Sequence, residues 1–163
     1  MRYSLILILL DIRSLHNVGA IFRTADAMGV KKIYLAGYTP EPVDLLGKLR
    51  KDFEKTALGA EKFVPWEKLK SMGALIKKLK SEKVFIASLE QSKNSIPLSS
   101  LGVRDAKSGV ALILGNEVRG IPKNILRKSD AILEIPMHGK KESLNVSVAA
   151  GIAMYVLTSP PFR

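Results

Sequence analysis

Short unbroken apolar runs alternate along the chain with stretches whose apolar residues recur at helical spacing. Tyr3 to Leu9 reads as a buried strand, and Asp11 to Asn17 as the turn at its carboxyl end. Asn17 is placed as the N-cap of a helix carrying Ile21, Phe22, Ala25 and Met28, with Gly29 as its C-cap before a strand at Lys32 to Ala36. Gly37 to Leu46 is loop by its prolines, and Gly47 to Ala60 is a basic, weakly helical excursion. Phe63 to Trp66 contains Pro65 and is at best an edge strand. Glu67 to Lys80 is an amphipathic helix with Lys77, Lys78 and Lys80 on its polar face, and Lys83 to Leu89 is a buried strand. Gly109 to Leu114 is another strand, followed by the loop Gly115 to Gly120 and a helix over Pro122 to Lys128 with proline at its start. Ala131 to Ile135 returns to strand. This alternation predicts an α/β fold, a mostly parallel sheet with helices on both faces. Ligands in such sheets bind beyond the carboxyl ends of the strands. The polar loops after Leu9, Leu114 and Ile135 all belong there.

The last of these loops leads into the most distinctive stretch, Ile132 to Tyr155, where a strand breaks into a polar, basic loop and then a helix apolar on nearly every side. Such a helix is expected to be buried all round. Ser143 and Asn145 stand at its mouth, where either side chain can accept from the unpaired N–H groups of the first turn.

Length and composition narrow the class. A chain of 163 residues, 47% hydrophobic and 25% charged, is expected to make a single globular domain over residues 1–163. Zero cysteines exclude disulfides, thiolate metal sites and cysteine nucleophiles, and only His16 and His138 remain as imidazoles, so no metal is expected. The apolar run of Met1 to Leu10 is too short to span a bilayer and lacks a cleavage site, which places the protein in the cytoplasm, away from membranes. An excess of 26 Lys+Arg over 15 Asp+Glu, a net charge of +11, favours a polyanionic partner, with nucleic acid first. A solvated lysine-rich surface is the bland reading of the same numbers.

Candidate chemistry gathers in the loops. Arg23 borders the apolar face of its helix and so needs a partner: either Asp26 or a phosphate or developing oxyanion. Gly115-Asn116-Glu117-Val118-Arg119-Gly120 has the glycine spacing of a phosphate loop, but Ile121-Pro122 occupies the Lys-Ser/Thr places and rejects that reading. Backbone groups plus one carboxylate suit a neutral or cationic ligand with an adenosine-like body, though an ordinary strand–helix turn reads the same way. Ser143 has no nearby base other than His138, so nucleophilic catalysis is not supported.

Taken together, residues 17–29 (NVGAIFRTADAMG), 112–121 (LILGNEVRGI) and 135–155 (IPMHGKKESLNVSVAAGIAMY) resemble the three motifs of the TrmH/SpoU group of SPOUT RNA methyltransferases, over nearly the whole chain. The resemblance implies a C-terminal deep trefoil knot, a homodimer, and S-adenosylmethionine-dependent methylation of a ribose 2′-hydroxyl in structured RNA, tRNA favoured over rRNA. It implies a cofactor site at Ser88, Leu89, Leu114, Gly115, Gly120, Ile135, Met137 and Leu144, and a catalytic set of Arg23, Asn17, Glu117, Ser143 and Asn145. Without an extra domain, RNA is to be gripped by Arg13, Lys48, Arg50, Lys51, Lys55, Arg119, Lys140 and Lys141. A non-catalytic RNA-binding member of the same fold is the alternative, and a nucleotide-binding α/β enzyme of another type a more distant one.

Overall fold

The computed structural model describes residues 4–101, 106 and 108–159; Tyr3, expected in the first strand, lies outside them. Strand β1 (Leu5–Leu10) leads into helix α1 (Leu15–Ala27). The cap of α1 is Ser14 and not Asn17: the Ser14 hydroxyl accepts the Asn17 N–H at 3.3 Å, which places Asn17 in the first turn. Gly29 lies one residue past the C-cap Met28, at φ +66°. Strand β2 (Lys32–Ala36) follows where the pattern places it. The basic excursion contains the short helix α2 (Lys51–Ala57), which ends on Leu58 in the left-handed region, and its last residue opens a 3-10 turn over Ala60–Lys62.

The next elements are displaced from their expected bounds. Strand β3 is the edge strand Trp66–Lys68, which overlaps the one expected at Phe63 to Trp66 only at Trp66 and takes Glu67 and Lys68 from the expected helix, and helix α3 is Met72–Ser81. Pro65 offers its carbonyl to the Ile33 N–H at 2.9 Å, and Lys32 pairs with Glu67 at 2.7 Å, so the chain is tied to β2 beyond the proline. Ser71, accepting from the Ala74 N–H, then starts α3. Lys83 has φ +58° and turns the chain, so β4 is Phe85–Leu89. A two-residue strand β5 (Ile96–Pro97) was not anticipated; proline is tolerated there because β5 is an edge. Strand β6 (Val110–Leu114), the short helix α4 (Lys123–Leu126), strand β7 (Ala131–Glu134) and helix α5 (Val146–Thr158) complete the order.

The seven strands form one sheet in the order β3-β2-β1-β6-β4-β7-β5, every pair parallel. Alternation along β1 divides the core. Leu5, Leu7 and Leu9 pack with α1, α2 and α5, whereas Ile8 and Leu10 pack with α3 and α4. Helices therefore cover both faces. No helix among the described residues is long and apolar enough to cross a membrane.

Helix α5 departs from the expected burial. It packs on α1 and β1 through Ala150, Ala153, Met154 and Leu157, but Val148, Ile152 and Tyr155 are 51, 38 and 51% exposed. These positions recur at i, i+4 and i+7 and make one uncovered apolar stripe.

Candidate active site

The carboxyl ends of β4, β6 and β7 converge on a cleft of about 370 Å³, within the range of small-molecule sites. Its walls are Leu89 to Gln91 after β4, Leu114 to Val118 with Gly120 after β6, and Glu134, Ile135 and Met137 after β7. Glu142, Ser143, Leu144, Val146 and Ala149 close it from the approach to α5.

Close backbone approach shapes the middle wall. A Cβ on Gly115 would lie 2.8 Å from the Gly120 carbonyl carbon and 2.9 Å from the Ile121 nitrogen, so the β6 loop folds back on itself only with glycine at 115. Gly120, at φ +66°, leaves room for the Glu90 carboxylate, which accepts the Ile121 N–H at 2.9 Å. Gln91 donates to the Glu142 carbonyl at 2.8 Å and ties the β4 exit to the loop before α5. Asn116 is buried, and its amide is fully used. It donates to the Asp11 carbonyl at 2.9 Å and the Tyr38 hydroxyl at 2.7 Å, and accepts from the Val118 and Arg119 N–H groups.

At the rim a hydrogen-bond chain joins three distant segments. The Asn17 amide donates to Glu117 Oε1 at 3.1 Å, and the Asn145 amide donates to Asn17 Oδ1 at 3.3 Å. Asn145 is also the cap of α5, accepting from the Ser147 N–H and hydroxyl. The other Glu117 oxygen accepts from the Arg13 N–H at 3.1 Å, so the carboxylate sits at the entrance to α1. Burial opposes the charged form of Glu117, but bonds from its own N–H, from Arg13, from the Asn17 amide and from Ser14 outweigh it. Its carboxyl is thereby held below the usual carboxylate range. Glu117 is thus a permanently charged acceptor at neutral pH.

Residues 4–155 match the SpoU rRNA Methylase family. The chain belongs to this family. It is 32% identical over 152 residues to the 23S rRNA (guanosine-2′-O-)-methyltransferase RlmB of Xylella fastidiosa, covering 93% of this chain and 57% of that protein. It is 34% identical over 145 residues to the tRNA (guanosine(18)-2′-O)-methyltransferase of Aquifex aeolicus, covering 89% and 64% respectively. It therefore spans about three-fifths of the length of these curated relatives. Among solved structures, the AdoMet-bound rRNA methyltransferase of Sinorhizobium meliloti superposes with a TM-score of 0.84 at 25% identity, over 94% of this chain and 55% of that one.

On this SpoU-family scaffold, Leu89, Leu114, Gly115, Gly120, Ile135, Met137 and Leu144 lie on the cleft wall with Glu117 and Ser143. Ser88 does not: it is buried, and its hydroxyl bonds that of Ser129 at 2.7 Å, because its side chain leaves the strand on the face opposite Leu89. Arg23 also stands apart. It is exposed, not half-buried, and makes no ion pair or hydrogen bond among the described residues, with Asp26 or with the Asn17 cluster. Six positions separate it from Asn17 in α1, which turns it to a different side of the helix. His138 is exposed and off the cleft wall. Arg13, Lys48, Arg50, Lys51, Lys55, Arg119, Lys140 and Lys141 are all exposed, with Lys55 near Asp52 at 3.7 Å. Glu90, Gln91 and Asn116 were missed by the sequence reading. Glu90 and Gln91 follow an unremarkable polar strand exit, and only the buried, fully bonded amide of Asn116 marks it as the hub of the β6 loop.

Proposed function

We propose that this protein transfers a methyl group from S-adenosylmethionine to a ribose 2′-hydroxyl of structured RNA, tRNA in preference to rRNA, as a cytoplasmic homodimer with a C-terminal trefoil knot. The observation that carries this reading is the joining of the cleft to the Glu117–Asn17–Asn145 chain, which brings all three family motifs to one rim. The cleft fits the cofactor. It offers apolar walls at Leu89, Leu114 and Leu144 for the adenosine body, glycine backbone at 115 and 120, and carboxylates at Glu90, Glu117 and Glu142 that favour a cation. When bound, the cofactor supplies an electrophilic methyl group on a positively charged sulfur.

The chain's own residues then position and stabilise. Glu117 holds Asn17 as an orienting acceptor, Asn145 caps α5 and orders the loop, and Ser143 positions the ribose. Arg23 pairs with the target phosphate and stabilises the emerging 2′-oxyanion. A guanidinium keeps its proton in proteins and cannot serve as the base, so the proton leaves to water. The exposed cations supply the RNA grip. The uncovered stripe Val148, Ile152 and Tyr155 supports the homodimer. The buried packing of α5 against α1 and β1, with the Gln91–Glu142 tie across its approach, supports the knot.

The separation of Arg23 from the cleft favours one second reading, an RNA-binding member without catalysis. Mass mapping of ribose methylation after incubation with S-adenosylmethionine and either tRNA or rRNA decides between them. A new 2′-O-methyl in tRNA supports the proposal. RNA binding with no cofactor binding by calorimetry overturns it.

A further inference from the structure

The segment after β2 is an arm that stands on the same side of the sheet as the cleft. Its root is fixed by buried Thr39, whose hydroxyl donates to the Leu9 carbonyl at 2.8 Å and accepts the Ile12 N–H at 3.0 Å. Tyr38 joins the root to the β6 loop through the Asn116 amide. An antiparallel bridge between Val43 and Leu49 closes the arm, and at its tip the Asp44 carboxylate accepts from the Leu46 and Lys48 N–H groups, each at 2.9 Å. Gly47, at φ +76°, completes the turn. This ordered turn lifts Leu45 and Leu46 wholly into solvent, 105 and 93% exposed. Neither leucine contributes to either core cluster. Beside them stand Lys48, Arg50 and Lys51, exposed and without an ion pair among the described residues, while the Asp44 carboxylate is spent on the turn and Asp52 lies beside Lys55.

We propose that this tip is a wedge that seats Leu45 and Leu46 against unstacked bases of RNA while the adjoining cations hold the flanking phosphates. An apolar side chain on a preorganised turn pays little ordering entropy on contact, and base faces accept it without regard to sequence. The cations choose nucleic acid over a neutral apolar partner, and the Tyr38–Asn116 bond ties the root of the arm to a residue of the cleft wall. This surface rests on the RNA-methyltransferase reading and adds to it a preference for unpaired over duplex RNA.

The full chain is compared with its Leu45→Ser/Leu46→Ser variant by anisotropy, using unfractionated tRNA and a perfect RNA duplex as probes. The variant loses about tenfold in affinity for tRNA, little for the duplex, and keeps the slope of affinity against salt. Its melting temperature and its calorimetric affinity for S-adenosylmethionine stay unchanged. Equal losses on both probes, or tRNA binding within twofold of the parent, overturn the wedge. A changed sedimentation coefficient assigns the leucines to a contact between copies, and retention by anionic vesicles assigns them to a lipid surface; either also overturns it. If the parent chain binds neither RNA, the functional reading itself fails, which is a separate result.

Discussion

The side-chain amide of Asn145 donates to that of Asn17 across 3.3 Å, and this one contact joins the start of α5 to the first turn of α1. Because Asn17 passes the contact on to Glu117, the two asparagines act as one unit. Replacing either by alanine is expected to lower methyl transfer, and the double variant to be little worse than the poorer single one, since coupled residues are not additive. Asn145→Ala also removes a helix cap and costs about 1 kcal/mol of stability, whereas Asn17→Ala leaves the Ser14 cap intact. Single-turnover rates and denaturant melts of the three variants check both parts. Full additivity of the rate effects would refute the linkage.

Glu117 gives a pH signature. Its folded carboxyl lies below the usual carboxylate range, so the native state favours its charged form. That contribution is present at neutral pH and above the ordinary range, and is lost as the pH falls through the depressed folded value. Glu117→Gln keeps the shape but weakens the acceptor for the Arg13 and Asn17 donors. The variant is expected to be less stable at pH 7, with a gap to the parent that narrows under acid. Thermal melts from neutral pH into the acid range measure this; a gap independent of pH would sink it.

Gly115→Ala tests the cleft wall. The added methyl would meet backbone at Gly120 and Ile121, which no side-chain rotation relieves, and overpacking of this kind costs about 1–3 kcal/mol. The β6 loop must move, so calorimetric affinity for S-adenosylmethionine should fall by about tenfold or more. Circular dichroism should keep the parent's helix and strand content. Unaltered cofactor affinity would place the ligand elsewhere.

The parallel sheet was legible because each buried strand is an unbroken apolar run: LILILL, KIYLA and VALIL all lie within two residues of their expected bounds. Trp66–Lys68 was not, because only three residues pair at that edge and their register is set by Pro65 and the Lys32–Glu67 contact, which no local period encodes. Asn17 was misread as a cap because Ser14 and Asn17 are both good cap residues, and the choice falls to Ser14, the residue directly before the helix. The cleft positions follow from the motif resemblance, and strand alternation turns the Ser88 side chain to the face opposite Leu89, away from the cleft wall. Glu90, Gln91 and Asn116 bond across 31, 51 and 105 positions, a range at which one sequence carries no pattern.

Arg23 is the position where sequence and structure differ most, and it yields the sharpest kinetic expectation. Its exposed guanidinium has no partner among the described residues, so on the proposed mechanism its orientation during reaction comes from RNA phosphate. Lysine keeps the charge but not the paired, planar donors that grip a phosphate and an oxyanion together. Arg23→Lys should therefore bind tRNA almost as tightly as the parent and bind S-adenosylmethionine equally, yet transfer methyl about 10² to 10³ times more slowly in a single turnover. Stability should not change, because the side chain packs against nothing it must satisfy. Arg23→Ala should lose the same rate and some RNA affinity as well, with a shallower dependence on salt as one phosphate contact disappears. A fully active lysine variant would reduce Arg23 to a simple counter-charge for the RNA backbone, and the stabiliser of the 2′-oxyanion would have to be sought among the donors at the cleft rim.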